Sequence, residues 1–250
     1  MSPQPIRALL FDLWGTLIYD DPVSSEARRV RRTEMARATL ADLGFAYGSA
    51  DIEAAFMAAG AELERVHATE RDLSSRGRTI AYLAQIDDTL PDRLDDAAWT
   101  RMDEAILTPA LHHPPAIIHA AVETLAAVRA LGIPTALVSN AGVTPGFVLR
   151  RLLADAGMLE YLDVTVFSDE VEMSKPHPAI FEHALDELGV AADEAAFVGD
   201  QPVLDVFGAR RAGLWMIQIG DLPAEGAEPH ARIATLPELL PALSALGLLA

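Results

Sequence analysis

The chain has 250 residues, 51% hydrophobic and 22% charged, a composition that suits a globular fold with a sizeable core and excludes a disordered one. Its formal charge of −18 argues against nucleic acid and anionic membrane surfaces as partners, because both are bound through an excess of Lys and Arg. With no cysteine, disulfides, thiolate catalysis and zinc–cysteine sites are excluded, which fits a cytoplasmic protein.

In chain order, an apolar run over residues 6–11 ends in Asp12, with Gly15 and Thr16 just beyond, as a buried strand followed by a turn would. Asp12 also interrupts the apolar run that a signal peptide would need. Residues 24–43, 52–67, 78–86 and 97–107 read as helices, with no strand among them, and His112-His113-Pro114-Pro115 reads as an extended linker. The rhythm then changes. A helical pattern stopping at Gly132 is followed by a strand at 134–138, a helix at 147–156 and a strand at 164–167. A helix at 178–188, a strand at 195–198, a helix at 204–212 and a strand at 214–219 complete the alternation. The uncharged stretch 130–149 holds two prolines and three glycines, so it is not a membrane span. The apolar stretch 236–249 predicts a helix docked on the core, with a subunit contact as the alternative.

Strand–helix alternation predicts an α/β fold with a doubly wound, Rossmann-like parallel sheet. The sheet is expected to be discontinuous in sequence: residues 1–18 and 113–250 form the core, and residues 19–112 an all-helical insert. Parallel strands end along one edge, where open α/β sheets bind ligands. Asp12, Ser139, Lys175 and Asp200 fall at or beyond predicted strand ends, and Asp205 follows five residues later. Each alone is an ordinary turn or cap residue. Together they form a constellation.

That constellation resembles the haloacid dehalogenase superfamily of hydrolases. FDLWGTL matches its first motif at Asp12, Gly15 and Thr16; TALVSNAG its second at Ser139; SKPHP its third at Lys175; and VGDQPVLD its fourth at Asp200 and Asp205. The insert matches the position of the family's helical cap. The resemblance implies that Asp12 attacks phosphorus to form an aspartyl-phosphate. Mg²⁺ would be held by Asp12, the backbone carbonyl of Trp14, Asp200 and Asp205. Lys175 would neutralise charge, and Ser139 would hydrogen-bond a phosphoryl oxygen. Thr16 is either a phosphate contact or a loop residue, and Asn140 either orients the nucleophile loop or caps a turn. The substrate is expected to be a small phosphorylated molecule and the protein a monomer or homodimer.

Phosphatases of the family carry a second Asp, the acid–base, where this chain has Trp14. An indole offers one donor and no acceptor, and losing positioned acid–base help costs ~10²–10⁴-fold in rate. Three readings stay open. One is a metal-dependent phosphate hydrolase whose substrate needs little protonation or which recruits a base from the cap or the substrate. The second is a dehalogenase, since those enzymes carry a non-acidic aromatic there; against it, they lack the acid pair, show Tyr where Phe181 stands, and carry a cap Arg roughly where Leu43 stands. The third is a weakly active phosphoryl-ligand binder. Arg28, Arg29, Arg31 and Arg32 are read as a solvated face paired with acids, or as the source of an Arg reaching an anionic substrate. The histidines show no zinc-ligand spacing.

Overall fold

The computed structural model describes residues 4–223 and 225–249. The first strand, β1 (Ala8–Phe11), is buried on both faces. Its side chains alternate: Leu9 and Phe11 join one apolar layer, Ala8 and Leu10 the other. A tight turn leads to the two-residue β2 (Ile18–Tyr19). Helices α1 (Pro22–Asp42), α2 (Ser49–His67), α3 (Ser75–Ile86), the single turn α4 (Leu90–Arg93) and α5 (Asp96–Leu107) follow. Asp21, Ser74 and Asp95 cap α1, α3 and α5 by accepting their free first-turn N–H groups. These helices close over their own core, in which Leu40, Ile52, Phe56, Tyr82, Leu83 and Met102 are buried.

The chain returns through β3 (Ala116–Ile117), which pairs antiparallel with β2, Ile18 opposite Ile117. The two crossings between the helical segment and the sheet are thus tied to each other. Next come α6 (Ala121–Ala130), β4 (Thr135–Ser139), α7 (Gly146–Asp155), β5 (Val164–Phe167), the short α8 (Ser168–Val171) and α9 (Pro178–Leu188). The last elements are β6 (Ala195–Gly199), α10 (Gly208–Arg211), β7 (Trp215–Ile219), β8 (Ala231–Ile233) and α11 (Leu239–Ala245).

Among the described residues, six strands form one parallel sheet in the order β5-β4-β1-β6-β7-β8. The chain winds outward from β1 through β4 and β5, then returns to the other side of β1 through β6, β7 and β8. Helices cover both faces. This is the doubly wound α/β arrangement, with its crevice at the carboxyl ends flanking β1.

Some predicted elements change. The helix expected over 204–212 is a π-helical turn at Pro202–Phe207 continued by α10. The wider turn bonds Val206 N–H to Gln201 O, while the Asp205 carboxylate folds back to accept the Gln201 N–H at 2.9 Å. Ile118 lies before α6, because Ala120 takes a left-handed conformation and starts the helix afresh. The carboxyl-terminal stretch is a shorter helix than expected, docked on the core through Leu236, Leu239, Leu243 and Leu248. Among the described residues no helix is long and apolar enough to cross a membrane.

Candidate active site

Strand β1 delivers Asp12 to the sheet's carboxyl edge, where its N–H bonds Val198 O of β6 at 2.8 Å. That contact sets Asp12 beside Gly199 and Asp200. Gly15, at φ +82°, holds the turn after it, and a Cβ there would lie 2.5 Å from Asp200 Oδ2. Gly199 is equally confined: its Cβ would meet Asp205 Cγ at 2.5 Å. The two glycines are the clearance that lets these carboxylates approach the backbone. Carboxylate oxygens of Asp12, Asp200 and Asp205 lie within 4.8 Å of one another.

Lys175 enters this cluster from the loop before α9. Its Nζ donates to Asp12 Oδ1 at 2.5 Å and to Asp205 Oδ1 at 2.7 Å, and all three side chains are buried. Burial, with repulsion from Asp205 and Asp200, raises the Asp12 carboxyl from 3.8 to about 7, although Lys175 pulls it down. Burial would lower the Lys175 ammonium, but Asp12 and Asp205 outweigh it and hold the lysine above its usual range. Asp200 is also raised, by burial and by Asp205, while its Oδ2 accepts from Gln201 Nε2 at 2.6 Å. One lysine therefore faces three carboxylates.

Asp200 Oδ1 is buried without a hydrogen-bond partner. Hard oxygen donors, an excess of negative charge and an orphaned carboxylate oxygen are what a Mg²⁺ site requires. The residues fit such an ion. Asp12, Asp200 and Asp205 would hold it, and it would supply positive charge against a phosphoryl group.

Ser139 ends β4, fully buried, and its hydroxyl donates to Asn140 O at 3.1 Å. Asn140 follows Ser139 and faces the loop that carries Lys175. Its side chain clamps Lys175, accepting the Lys175 N–H at 2.8 Å and donating to the Lys175 carbonyl at 3.2 Å. Thr16 Oγ1 is buried and unpartnered. Trp14 is half-buried and lines a cleft of about 520 Å³ between the helical segment and the sheet edge, together with Arg28, Arg32, Glu64, His67 and Asn140. A second, mainly apolar cavity of about 220 Å³, with Asp155 on its wall, lies against the β2–β3 ribbon and is not lined by Asp12, Asp200 or Asp205.

The arginine cluster divides. Arg29 pairs with Glu26 and Glu53, as a solvated face would. Arg28 is buried, bonds His113 O at 2.7 Å and pairs with Asp20; Arg32 bonds Ile106 O at 2.9 Å. Both are held at the cleft wall.

A buried network unmarked in the sequence joins the helical segment to the catalytic loops. Arg78 of α3, wholly buried, binds both Asp72 oxygens at 2.8 and 2.7 Å and Gly142 O at 2.7 Å. Ser168 donates to Asp72 Oδ2 at 2.5 Å and accepts the Ala141 N–H at 2.8 Å. Burial pushes the Asp72 carboxyl up, but His67, Arg78 and Ser168 together hold it below its usual range. Nearby, Ser174, just before Lys175, bonds the carbonyls of Glu70 and Arg71. No local pattern flags Arg78 or Asp72, since charged helix and loop residues default to solvent.

A sequence model of the haloacid dehalogenase-like hydrolases matches residues 6–213, spanning β1 through the acid pair and the glycine that follows α10. The chain belongs to this family. Among its relatives are a phosphoserine phosphatase of Thermus thermophilus, 39% identical over 46% of each chain, and an (S)-2-haloacid dehalogenase of a Pseudomonas species, 32% identical over 48% of this chain and 54% of that one. The chain spans about half the length of the curated relatives it matches. A 2-haloacid dehalogenase from Pseudomonas syringae shares the fold, with a TM-score of 0.69 at 22% identity over 96% of this chain and 99% of that one.

Proposed function

We propose that this hydrolase cleaves a small phosphorylated metabolite with Mg²⁺ through an aspartyl-phosphate on Asp12. The observation that carries the reading is the convergence of Asp12, Asp200 and Asp205 within 4.8 Å, with Asp200 Oδ1 unpartnered. A carboxylate site of this charge would repel a phosphate unless a cation intervened. Mg²⁺, when bound, would neutralise phosphoryl charge and offset the mutual repulsion of the three carboxylates. Asp12 is the nucleophile. Lys175 holds Asp12 and adds positive charge opposite the attacked phosphorus. Ser139 offers a hydroxyl to a phosphoryl oxygen, and Trp14 contributes its carbonyl to the ion and its indole to the pocket wall. In this reading residues 1–18 and 113–250 are the core and residues 19–112 a cap whose closure excludes water. The protein works in the cytoplasm as a monomer or homodimer.

The second reading, hydrolysis of a carbon–halogen bond through an ester on Asp12, is favoured by Trp14, since halide departs without a proton. A screen of phosphate esters, acyl phosphates and 2-haloacids, each with Mg²⁺ and with chelator, separates the two. Metal-dependent phosphate release abolished by Asp12→Asn is the expected result. Chelator-insensitive halide release would replace the first reading with the second.

A further inference from the structure

Trp14 leaves the proposed phosphatase without an acid–base at the usual position, and the cleft that Trp14 lines contains a replacement. The acidic or imidazole side chains on its wall are Asp20, Glu64 and His67. Asp20 is taken by Arg28. Glu64 is exposed to solvent, so nothing fixes its direction. His67, at the last position of α2, is different. Its side chain is 17% exposed, and its Nε2 lies 3.0 Å from Oδ1 of Asp72, whose side chain is 0% exposed.

Asp72 is itself fixed, by the two-pronged contact from Arg78 and by Ser168. A buried carboxylate behind an imidazole orients the ring and selects its tautomer. The Nε2 contact is short but poorly aligned for a hydrogen bond, as catalytic contacts often are before substrate binds. His67 lines the same cleft as Trp14 and Asn140, and with Nε2 against Asp72 the ring nitrogen left for a ligand is Nδ1. The same network reaches Ala141 N–H and Gly142 O, so in this structure it ties the helical segment to the loop after Ser139.

We infer that His67, oriented by Asp72, is the general acid and base of this enzyme. The inference rests on the phosphate-ester reading above. Asp12 forms a bond to phosphorus as the bond to the ester oxygen breaks; that oxygen keeps the electron pair and takes the proton of the His67 imidazolium, leaving as an alcohol. Water then attacks the aspartyl-phosphate and gives its proton to neutral His67. The phosphorus–Asp12 bond breaks, returning inorganic phosphate, the Asp12 carboxylate and the imidazolium.

The test is the dependence of the loss on the leaving group. With Mg²⁺, His67→Gln is compared with wild type on phosphoserine and phosphoglycolate, whose alkoxides need a proton, and on p-nitrophenyl phosphate and acetyl phosphate, whose leaving groups do not. The expected result is a fall in kcat/KM, which reports phosphoryl transfer to Asp12 and not the later water attack common to all four, of ~10²-fold or more on the first pair and under ~10-fold on the second. Asp72→Asn should show the same selectivity at smaller size, and Glu64→Gln none. His67→Asn serves if the Gln variant does not give a wild-type circular dichroism spectrum. Equal losses in kcat/KM on all four substrates would make His67 structural and overturn the inference, as would a leaving-group-selective loss in Glu64→Gln instead. A wild type silent on all four sinks the phosphate-ester reading and this inference with it, whereas a leaving-group-indifferent His67→Gln sinks this one alone.

Discussion

Replacing Asp12, the proposed nucleophile, should make the ion-free protein more stable. Asp12 is buried with Asp205 around a single lysine, the half-buried Asp200 beside them, and its carboxyl sits at about 7 against an ordinary 3.8. A folded-state value above the unfolded one means that the native state binds the extra proton. The corresponding stability is complete below the unfolded value and is lost as pH rises through about 7. A shift of about three units corresponds to an upper bound of about 4 kcal/mol. Lys175 loses one of its two carboxylates when Asp12 goes, which returns part of this. Asp12→Asn should therefore gain about 1–3 kcal/mol over wild type near pH 8 in chelator, with the gain shrinking toward about pH 5. Urea denaturation at both pH values measures it. A variant no more stable than wild type near pH 8, or a gain independent of pH, would refute the idea that carboxylate crowding costs the fold anything.

Gly15→Ala must place a Cβ 2.5 Å from Asp200 Oδ2 at φ +82°, so a stability loss of about 1–3 kcal/mol and loss of Mg²⁺ binding by calorimetry are expected. Arg78→Met leaves Asp72 buried and unpaired and should cost about 3–5 kcal/mol, of which the double change Arg78→Met with Asp72→Leu recovers a part, read by denaturant midpoints. His230 is held down to about 4, by burial and then by Arg210, and its Nδ1 accepts the Met216 N–H at 2.8 Å. Since its folded value is depressed, stability is present above about 6.5 and falls toward about 4; after allowance for solvent screening, wild type should lose about 1 kcal/mol more than His230→Asn across that window.

The sequence made the sheet legible because its strands are short apolar runs that stop at chemically distinctive residues, Asp12, Ser139 and Asp200. Four helices of the 22–107 segment were legible as runs without strand signals; the single turn α4 was not, being too short to show a pattern. The two-residue β2 and β3 carry no period of their own and exist through each other. Strand β8 reads Ala-Arg-Ile, too short and too polar to declare itself. Among site residues, Asp12, Lys175, Asp200 and Asp205 meet at the sheet edge where expected. The role of Asn140 was hidden because an amide after a strand is ordinarily a turn residue. The importance of His67 depends on Asp72 and Arg78, and that relation exists only once α3 packs against the loop following β4.

Asn140 meets Lys175 as a neighbouring strand residue would, satisfying its backbone donor and acceptor together from one side chain. The stem of the ammonium is thereby referenced to the tip of β4 and not to its own loop. An excursion of that loop therefore has to break both bonds to the residue after Ser139, so a single amide sets the spacing between the lysine and the serine hydroxyl.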